Sequence, residues 1–136
     1  MLNELLDSLG AARKARSQVK ELIMEYADDA EMQEVGESAV ARLTAWENKV
    51  TQTQYGTYED EDSMPPMLDV HIRHVLDVID RAGAPVSEGS LQRLSDLDFE
   101  WQDRKSELRA ISNSDLAIIN DWARDKGVMH VGRPGE

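Results

Sequence analysis

The sequence contains no cysteine, which excludes disulfide bonds, thiolate zinc sites and cysteine nucleophiles but leaves the redox compartment open. It also contains no apolar run that approaches the roughly 20 residues of a membrane-spanning helix. Basic residues are few, 15 against 27 acidic ones, and the formal net charge of -12 repels phosphate backbones and anionic lipid heads. We therefore expect neither a nucleic-acid partner nor a membrane span.

Helical periodicity is the strongest pattern that the sequence does contain. Its 136 residues suit one domain, and apolar side chains recur at steps of three and four. Strand-like alternation and repeats of about 20 to 50 residues are missing from it. Apolar stripes run over residues 2–26, 32–50, 68–79, 91–111 and 116–122, and each stripe predicts one helix. We expect an all-α antiparallel four-helix bundle in up-down-up-down order, with a short fifth C-terminal helix.

Polar and glycine residues mark the ends of these helices. Asp28 and Asp29 predict an acidic N-cap for the second helix, and Ser87 predicts one for the fourth. The polar residues 112–115 predict a break with fresh caps. Gly127 predicts the end of the short fifth helix.

The chain has no proline- or serine-rich linker, so residues 1–131 are predicted to form a single domain. Residues 132–136 are predicted to be a flexible tail. Gly36, inside the second stripe, is a tolerated weak point that costs about 1 kcal/mol relative to alanine. The first residues are acidic and amphipathic, unlike a cationic export signal, so we expect any export signal outside this chain.

A weak metal-binding pattern lies in the third stripe. His71 and His74 are three residues apart on one helical face, with Asp69 and Asp77 nearby. The pair lacks the HExxH spacing, which places two histidines one turn apart with a glutamate base between them. Surface or partly packed histidines are the favoured interpretation, and we expect neither a metal nor a cofactor.

Four consecutive acids form the acidic segment, Glu59, Asp60, Glu61 and Asp62. Because like charges repel and the DxDxDG alternation of a calcium loop is missing, the segment predicts a solvated loop that is open to a basic partner. The sequence has no glycine-rich phosphate loop and no GxSxG elbow, and nothing singles out two of the 27 acids as a glycosidase pair. We therefore predict no catalytic residue and expect the chain itself not to be an enzyme.

The three tryptophans lie on apolar stripes. Their helical spacing predicts that Trp46, Trp101 and Trp122 are core anchors. Aromatic side chains are also favoured at the buried centre of protein interfaces. The alternative is therefore that Trp122, on the short last helix, faces a neighbouring domain.

Between residues 43 and 131 the sequence is similar to one known family. The similar residues are Trp46-Glu47, Lys49-Val50-Thr51-Gln52-Thr53, Tyr58-Glu59-Asp60, Pro65-Pro66-Met67-Leu68, Ile79-Asp80, Pro85-Val86-Ser87-Glu88-Gly89, Arg93-Leu94-Ser95-Asp96-Leu97, Glu100-Trp101, Ile119-Asn120 and Lys126-Gly127-Val128. They resemble the C-terminal helical region of bacterial sortilin-like, BNR (Asp-box) repeat proteins, which are often labelled glycosyl hydrolases. The resemblance implies that Gln52, Tyr58, Pro66, Asn120 and Gly127 hold loops, caps and helix junctions.

This resemblance also implies a function. In the family, the helical module follows the blades of a large exported β-propeller protein. Asp-box repeats and strand blades are missing from this sequence, and no catalytic residue of the family matches a position in it. The implied function is a noncatalytic C-terminal accessory or interaction domain of an exported or cell-envelope protein, in contact with the neighbouring propeller or another protein. Two alternatives stay open: self-association as a homodimer, and a metal-dependent site at His71 and His74.

Overall fold

In the computed structural model, the residues described are 1–51, 67–81 and 87–135, and their regular structure is entirely helical. The helices are α1 (Leu2–Glu25), α2 (Ala30–Val50), α3 (Leu68–Arg81), α4 (Glu88–Ile111) and α5 (Ala117–Lys126), with a π-helical turn at Ser112–Leu116. No strand occurs in these ranges, so the all-α prediction is confirmed for them. Within the same ranges, no helix combines the length and the apolar character that crossing a bilayer requires.

Three predicted helix ends are confirmed. The Asp29 carboxylate accepts a hydrogen bond from the Met32 backbone N–H at 3.0 Å and caps α2. The Ser87 hydroxyl accepts one from the Ser90 N–H at 3.1 Å and caps α4. Gly127 follows α5 with φ of 71°, a left-handed conformation that glycine adopts without a steric cost.

The predicted break between the fourth and fifth helices is a π-helical turn. Ile111 and Leu116, the residues at its two ends, keep right-handed helical angles and make no side-chain cap. The Ser114 hydroxyl donates backward to the Ala110 carbonyl at 2.7 Å, so it supports the preceding turn and does not start a new helix. Residues 88–126 therefore form one long helical stretch, and the predicted fifth helix is its last part.

Helices α1 and α2 pack side by side in opposite directions. Arg13, in the first half of α1, pairs with Glu47 near the end of α2 at 2.8 Å. Gly36, near the start of α2, lies against Ile23 near the end of α1. The short connection between the helices, together with these two contacts, makes the pair a helical hairpin.

The long stretch of residues 88–126 runs in the same direction as α1. Trp101 donates its indole N–H to Glu4 at 3.0 Å, and about six turns later in both helices Trp122 packs edge-on against Tyr26, with ring centroids 4.8 Å apart. This order differs from the predicted up-down-up-down order, in which the first and fourth helices run in opposite directions.

The position of α3 explains this difference. The Thr51 hydroxyl donates to Asp69 at 2.8 Å, which places the start of α3 at the end of α2. Leu76, two turns further along, lies beside Met1 and Leu2 at the start of α1. Helix α3 therefore extends beyond the end of α2 and does not turn back along it.

The core is apolar and includes two of the bulkiest side chains in the chain. Its fully buried large residues come from all five helices and from the π-helical turn. They are Trp46, Trp101, Leu5, Met32, Leu43, Leu68, Ile72, Leu97, Leu108, Leu116, Ile119 and Val19. Burial of such side chains, at about 1.5–3 kcal/mol each, is the main favourable contribution to folding.

Residues 131–135 return along the long helix. The Asn120 side chain donates to the Val131 carbonyl at 3.0 Å and accepts from the Val131 N–H at 2.7 Å. The buried Ser112 hydroxyl donates to the Pro134 carbonyl. The residues 132–135 of the predicted flexible tail thus lie against the helices, and the Asn120 side chain holds the backbone at Val131.

Gly10 and Gly36 both lie inside helices but are expected to respond in opposite ways to alanine. A Cβ at Gly10 would meet nothing within 4 Å, so Gly10→Ala is expected to raise the free energy of unfolding by about 0.5–1 kcal/mol. A Cβ at Gly36 would lie 2.8 Å from Ile23 Cγ1, so Gly36→Ala is expected to lower it, since overpacking costs about 1–3 kcal/mol.

Urea denaturation of the two variants beside the parent chain measures this difference. A Gly36→Ala variant as stable as Gly10→Ala would contradict the close approach of α1 to α2. The sequence predicts Gly36 to be a weak point of α2 alone. In the structure, the missing side chain of Gly36 allows α1 and α2 to pack closely.

Candidate functional site

Trp122 is buried within this chain. Only 5% of it is exposed, its ring packs edge-on against Tyr26, and its indole N–H donates to Asp29 at 2.9 Å. The alternative in which Trp122 faces a neighbouring domain is corrected by this burial, because the indole has no free face for a partner. The core-anchor interpretation applies to all three tryptophans, since Trp46 and Trp101 are buried as well.

Asp29 joins the start of α2 to the end of α5. Its carboxylate caps α2 at the Met32 N–H, accepts from Trp122 and lies 3.9 Å from the Lys126 ammonium. The hydrogen bond from Met32 and then the one from Trp122 hold the pKa of Asp29 below its usual range. The residue that the sequence predicts as a cap therefore also orients the last tryptophan.

His71 and His74 lie on α3, where His71 is half-buried and His74 is exposed. Within the part of the chain that the structure describes, no group of three or more histidine, aspartate or glutamate side chains is arranged to hold a metal ion. The metal-site alternative therefore has no geometric support there.

The acidic segment, Glu59, Asp60, Glu61 and Asp62, lies outside the described residues. Its interpretation as a solvated loop open to a basic partner stays a prediction from the sequence.

A charged cluster around the buried residue Glu47 links α1 to α2. Its carboxylate pairs with Arg13 Nε at 2.8 Å and with Arg16 Nη1 at 2.5 Å, and Arg16 also donates to the Thr44 hydroxyl at 3.3 Å. Burial raises the pKa of the Glu47 carboxyl, but the hydrogen bonds from the two arginines outweigh it and hold the pKa below its usual range. Glu47 is thus ionised and enclosed between two cations, an arrangement that stabilises the helical hairpin.

A second polar contact at Glu4 links α1 to α4. Its carboxylate pairs with Lys105 at 2.5 Å and accepts from the Trp101 indole at 3.0 Å. The hydrogen bonds from Lys105 and then from Trp101 lower the pKa of Glu4. Lys105 interrupts the fourth apolar stripe of the sequence, and the structure shows that its ammonium group serves this contact.

An apolar depression lies at one end of the part of the molecule that the structure describes, and we call it the end groove. It has a volume of about 510 Å³ and lies where α1 begins, between α3 and α4. Its lining residues are Met1, Leu2, Leu76, Leu91, Leu94, Ser95 and Asp98.

Sequence reasoning places Leu91 and Leu94 in the core stripe of the fourth helix, and the end groove corrects this for Leu91. Leu91 is 53% exposed, whereas Leu97 on the same helix is fully buried. The apolar spacing is the same in both cases. The difference between them is tertiary, because Leu97 lies where other helices cover α4 and Leu91 lies beyond the first turn of α1.

Comparison with known proteins leaves the chain without a matching relative. No family model, no curated protein and no solved structure matches it. The family resemblance therefore stays a prediction from the sequence, and the functional argument depends on the geometry described above.

Proposed function

We propose that this chain is a noncatalytic accessory or interaction domain that belongs to a larger exported protein with Asp-box β-propeller repeats. The observation that carries the proposal is the end groove, an apolar surface that the described residues leave uncovered. Contiguous uncovered apolar surface is typical of protein interaction sites. The neighbouring propeller or another protein is the partner that the family resemblance implies.

The polar contacts of the tryptophans and of Glu47 are made within the chain, which supports the same proposal. The indole N–H groups of Trp46, Trp101 and Trp122 are donated to oxygens within the chain. The carboxylate of Glu47 is enclosed by two arginines. These contacts within the chain stabilise the domain.

We also propose that the helices form a bundle in which α2 runs antiparallel to both α1 and the long stretch of residues 88–126. Two kinds of contact support this arrangement. Glu47 pairs with Arg13 across α1 and α2, while Lys49 and Arg42 reach Glu107 and Ser114 in reverse order along the long stretch. The end groove then lies at one end of the bundle, where a partner can reach it.

Reading the genomic frame upstream of the codon for Met1 tests the proposed function. We expect that frame to continue into Asp-box blades and an export signal. A stop codon directly upstream of Met1 would overturn the proposal of an accessory domain, and a free-standing acidic helical protein would take its place.

A further inference from the structure

Residues 131–135, which we call the strap, lie between α1 and the long stretch in a groove that we call the strap groove. Val131 is hydrogen-bonded to Asn120, near the end of the long stretch. Arg109 Nε, earlier in that stretch, donates to the Gly135 carbonyl at 3.2 Å, so the strap runs in the opposite direction. Between these two contacts the long stretch makes about three turns, a length that a chain as short as the strap covers only when it is extended. The strap therefore lies in its groove as a bound extended peptide would.

The strap groove holds the strap by its backbone. The Asn120 side chain accepts from the Val131 N–H at 2.7 Å and donates to the Val131 carbonyl at 3.0 Å. The Gln18 side chain accepts from the Gly132 N–H at 3.0 Å. Hydrogen bonds to backbone groups hold an extended chain in place whatever its side chains are. The side chains that make such bonds to the strap come from α1, α4, the π-helical turn and α5. They are Gln18, Arg109, Ser112 and Asn120.

Two buried side chains of the strap set the pattern that the strap groove selects. Val131 is 4% exposed and belongs to the core, and Pro134, three residues later, is buried as well. The two residues between them are exposed. Gly135 has a φ of 86°, and a Cβ there would lie 3.3 Å from the Arg109 backbone nitrogen, so glycine is favoured at this position. The strap groove thus fits an aliphatic residue, two variable residues, proline and glycine.

The connection between α5 and the strap is loosely packed. Met129 is 84% exposed, His130 is exposed, and a depression of about 180 Å³ lies between this connection and α1. The strap also contains Gly132 and Gly135, and glycine loses more conformational freedom on ordering than any other residue. Release of the strap is therefore expected to cost much less free energy than unfolding of the helices.

We propose that the strap groove is a peptide-binding site, which the strap occupies within the chain and which an extended segment of a partner protein takes over when the strap is released. The partner segment has an aliphatic residue followed three residues later by proline and then glycine. Its aliphatic side chain replaces Val131, its proline replaces Pro134, and its backbone binds Asn120. The strap of a second copy is a poorer occupant, because two chains of net charge -12 repel each other. The strap groove is separate from the end groove, so this inference goes beyond the proposed function.

Fluorescence anisotropy with a labelled synthetic peptide of residues 128–135 tests the inference on the full chain. Val131→Asp is expected to release the strap, because its carboxylate would otherwise be buried without a partner. We expect the peptide to bind this variant at least about tenfold more tightly than the parent chain, in which the strap competes for the groove. A control peptide with aspartate at the position of Val131 is expected to bind neither protein.

Two glycine variants loosen or keep the strap without changing a core side chain. Gly135→Ala is expected to loosen it, because alanine is strained at a φ of 86° and its Cβ meets the Arg109 backbone. Gly132→Ala is the matched control, since a Cβ there would lie 3.7 Å from Gln18 Oε1, an ordinary contact. We expect Gly135→Ala to bind the peptide at least about fivefold more tightly than Gly132→Ala.

A second pair of variants locates the binding surface. In the Val131→Asp chain, Asn120→Ala is expected to weaken peptide binding at least about tenfold, because the peptide loses two hydrogen bonds. Asp121→Ala, at the exposed neighbouring residue, is expected to leave binding unchanged. Circular dichroism checks that each variant keeps its helical content.

Amide hydrogen exchange of the parent chain measures release of the strap directly. The N–H groups of Val131 and Gly132 are hydrogen-bonded to side chains of the groove, so they exchange when the strap opens. We expect both to exchange at least about a hundredfold faster than the N–H of Leu108, a fully buried residue of α4. An excess of the peptide is expected to speed their exchange further, because it holds the groove while the strap is free.

Four results would overturn the inference. Exchange of the Val131 N–H as slow as that of Leu108 would make the strap a fixed part of the core. Folded Val131→Asp and Gly135→Ala variants that do not bind the peptide would leave the groove without a peptide-binding role, and so would equal effects of the Asn120 and Asp121 variants. A dimer in sedimentation that the peptide dissociates would make a second copy the occupant. The upstream frame bears only on the proposed parent protein and not on these results.

Discussion

Replacing Trp101 with alanine is expected to lower the free energy of unfolding by about 3–5 kcal/mol. Trp101 is fully buried where α1 meets α4, and its indole N–H donates to Glu4 at 3.0 Å. The substitution removes the ring from the core, leaves a cavity and deprives Glu4 of a donor. Because small domains have only about 5–15 kcal/mol of stability in total, the variant is expected to be close to unfolding.

Chemical denaturation with the neighbouring variant Phe99→Ala as a control measures this effect. Phe99 lies two residues earlier on the same helix and is 70% exposed, so its loss is expected to change stability by no more than about 0.5 kcal/mol. Trp101→Phe keeps most of the packing but loses the hydrogen bond, and its stability is expected to lie between those of the other two. Equal effects of Trp101→Ala and Phe99→Ala would contradict the burial of Trp101.

Replacing Glu47 with glutamine is expected to lower the free energy of unfolding at pH 7 by about 1–3 kcal/mol. Breaking a buried ion pair from one side costs about 3–5 kcal/mol when the remaining charge stays buried. Here Arg13 is 49% exposed and Arg16 20% exposed, so water recovers part of that loss. Glu107→Gln is the matched control, because the Glu107 side chain is 38% exposed and its pairings with Lys49 at 3.5 Å and with Arg104 at 3.2 Å are each worth at most about 1 kcal/mol.

The effect of Glu47→Gln is expected to depend on pH in one direction. The arginines hold the folded-state pKa of Glu47 below its unfolded value of about 4.3, so the unfolded chain binds more protons in that range. The contribution of Glu47 is therefore fully present above about pH 4.3 and is lost as the pH falls through the folded-state pKa.

Denaturation of the parent chain and of Glu47→Gln over a series of acidic pH values measures this contribution. The difference in stability between the two proteins is expected to be constant near neutral pH and to shrink in acid. Both proteins keep some acid sensitivity, since the pKa values of Glu4 and Asp29 are lowered as well. A difference that grows as the pH falls would contradict the ionised state of Glu47 in the folded protein.

Local features of the fold could be predicted from the sequence because they depend on neighbours along the chain. The apolar steps of three and four place one face of each helix in the core. Asp29, Ser87 and Gly127 mark helix ends through backbone geometry and short-range hydrogen bonds. Residues 112–115 were the exception. The Ser114 hydroxyl can either donate to the carbonyl of the preceding turn or cap a following helix, and its polarity does not distinguish these two hydrogen bonds.

The candidate site could be predicted only in part. The sequence places Leu76, Leu91 and Leu94 on helical stripes, but periodicity does not say whether a partner helix covers them. Glu47 gives no signal in the sequence, because its role depends on Arg13 and Arg16 of another helix. Trp122 was open to two interpretations until its contacts with Tyr26 and Asp29 were known.

The sequence by itself determined an acidic, cysteine-free, helical chain and the faces and ends of its helices, since composition, spacing and caps are local properties. Tertiary structure decided the rest. It aligned α1 with the long stretch of residues 88–126, enclosed Glu47, and left the end groove open beside the start of α1. The physical reason is that an apolar stripe shows only which face of a helix must be covered. The lengths and directions of the other helices decide which part of that face they cover.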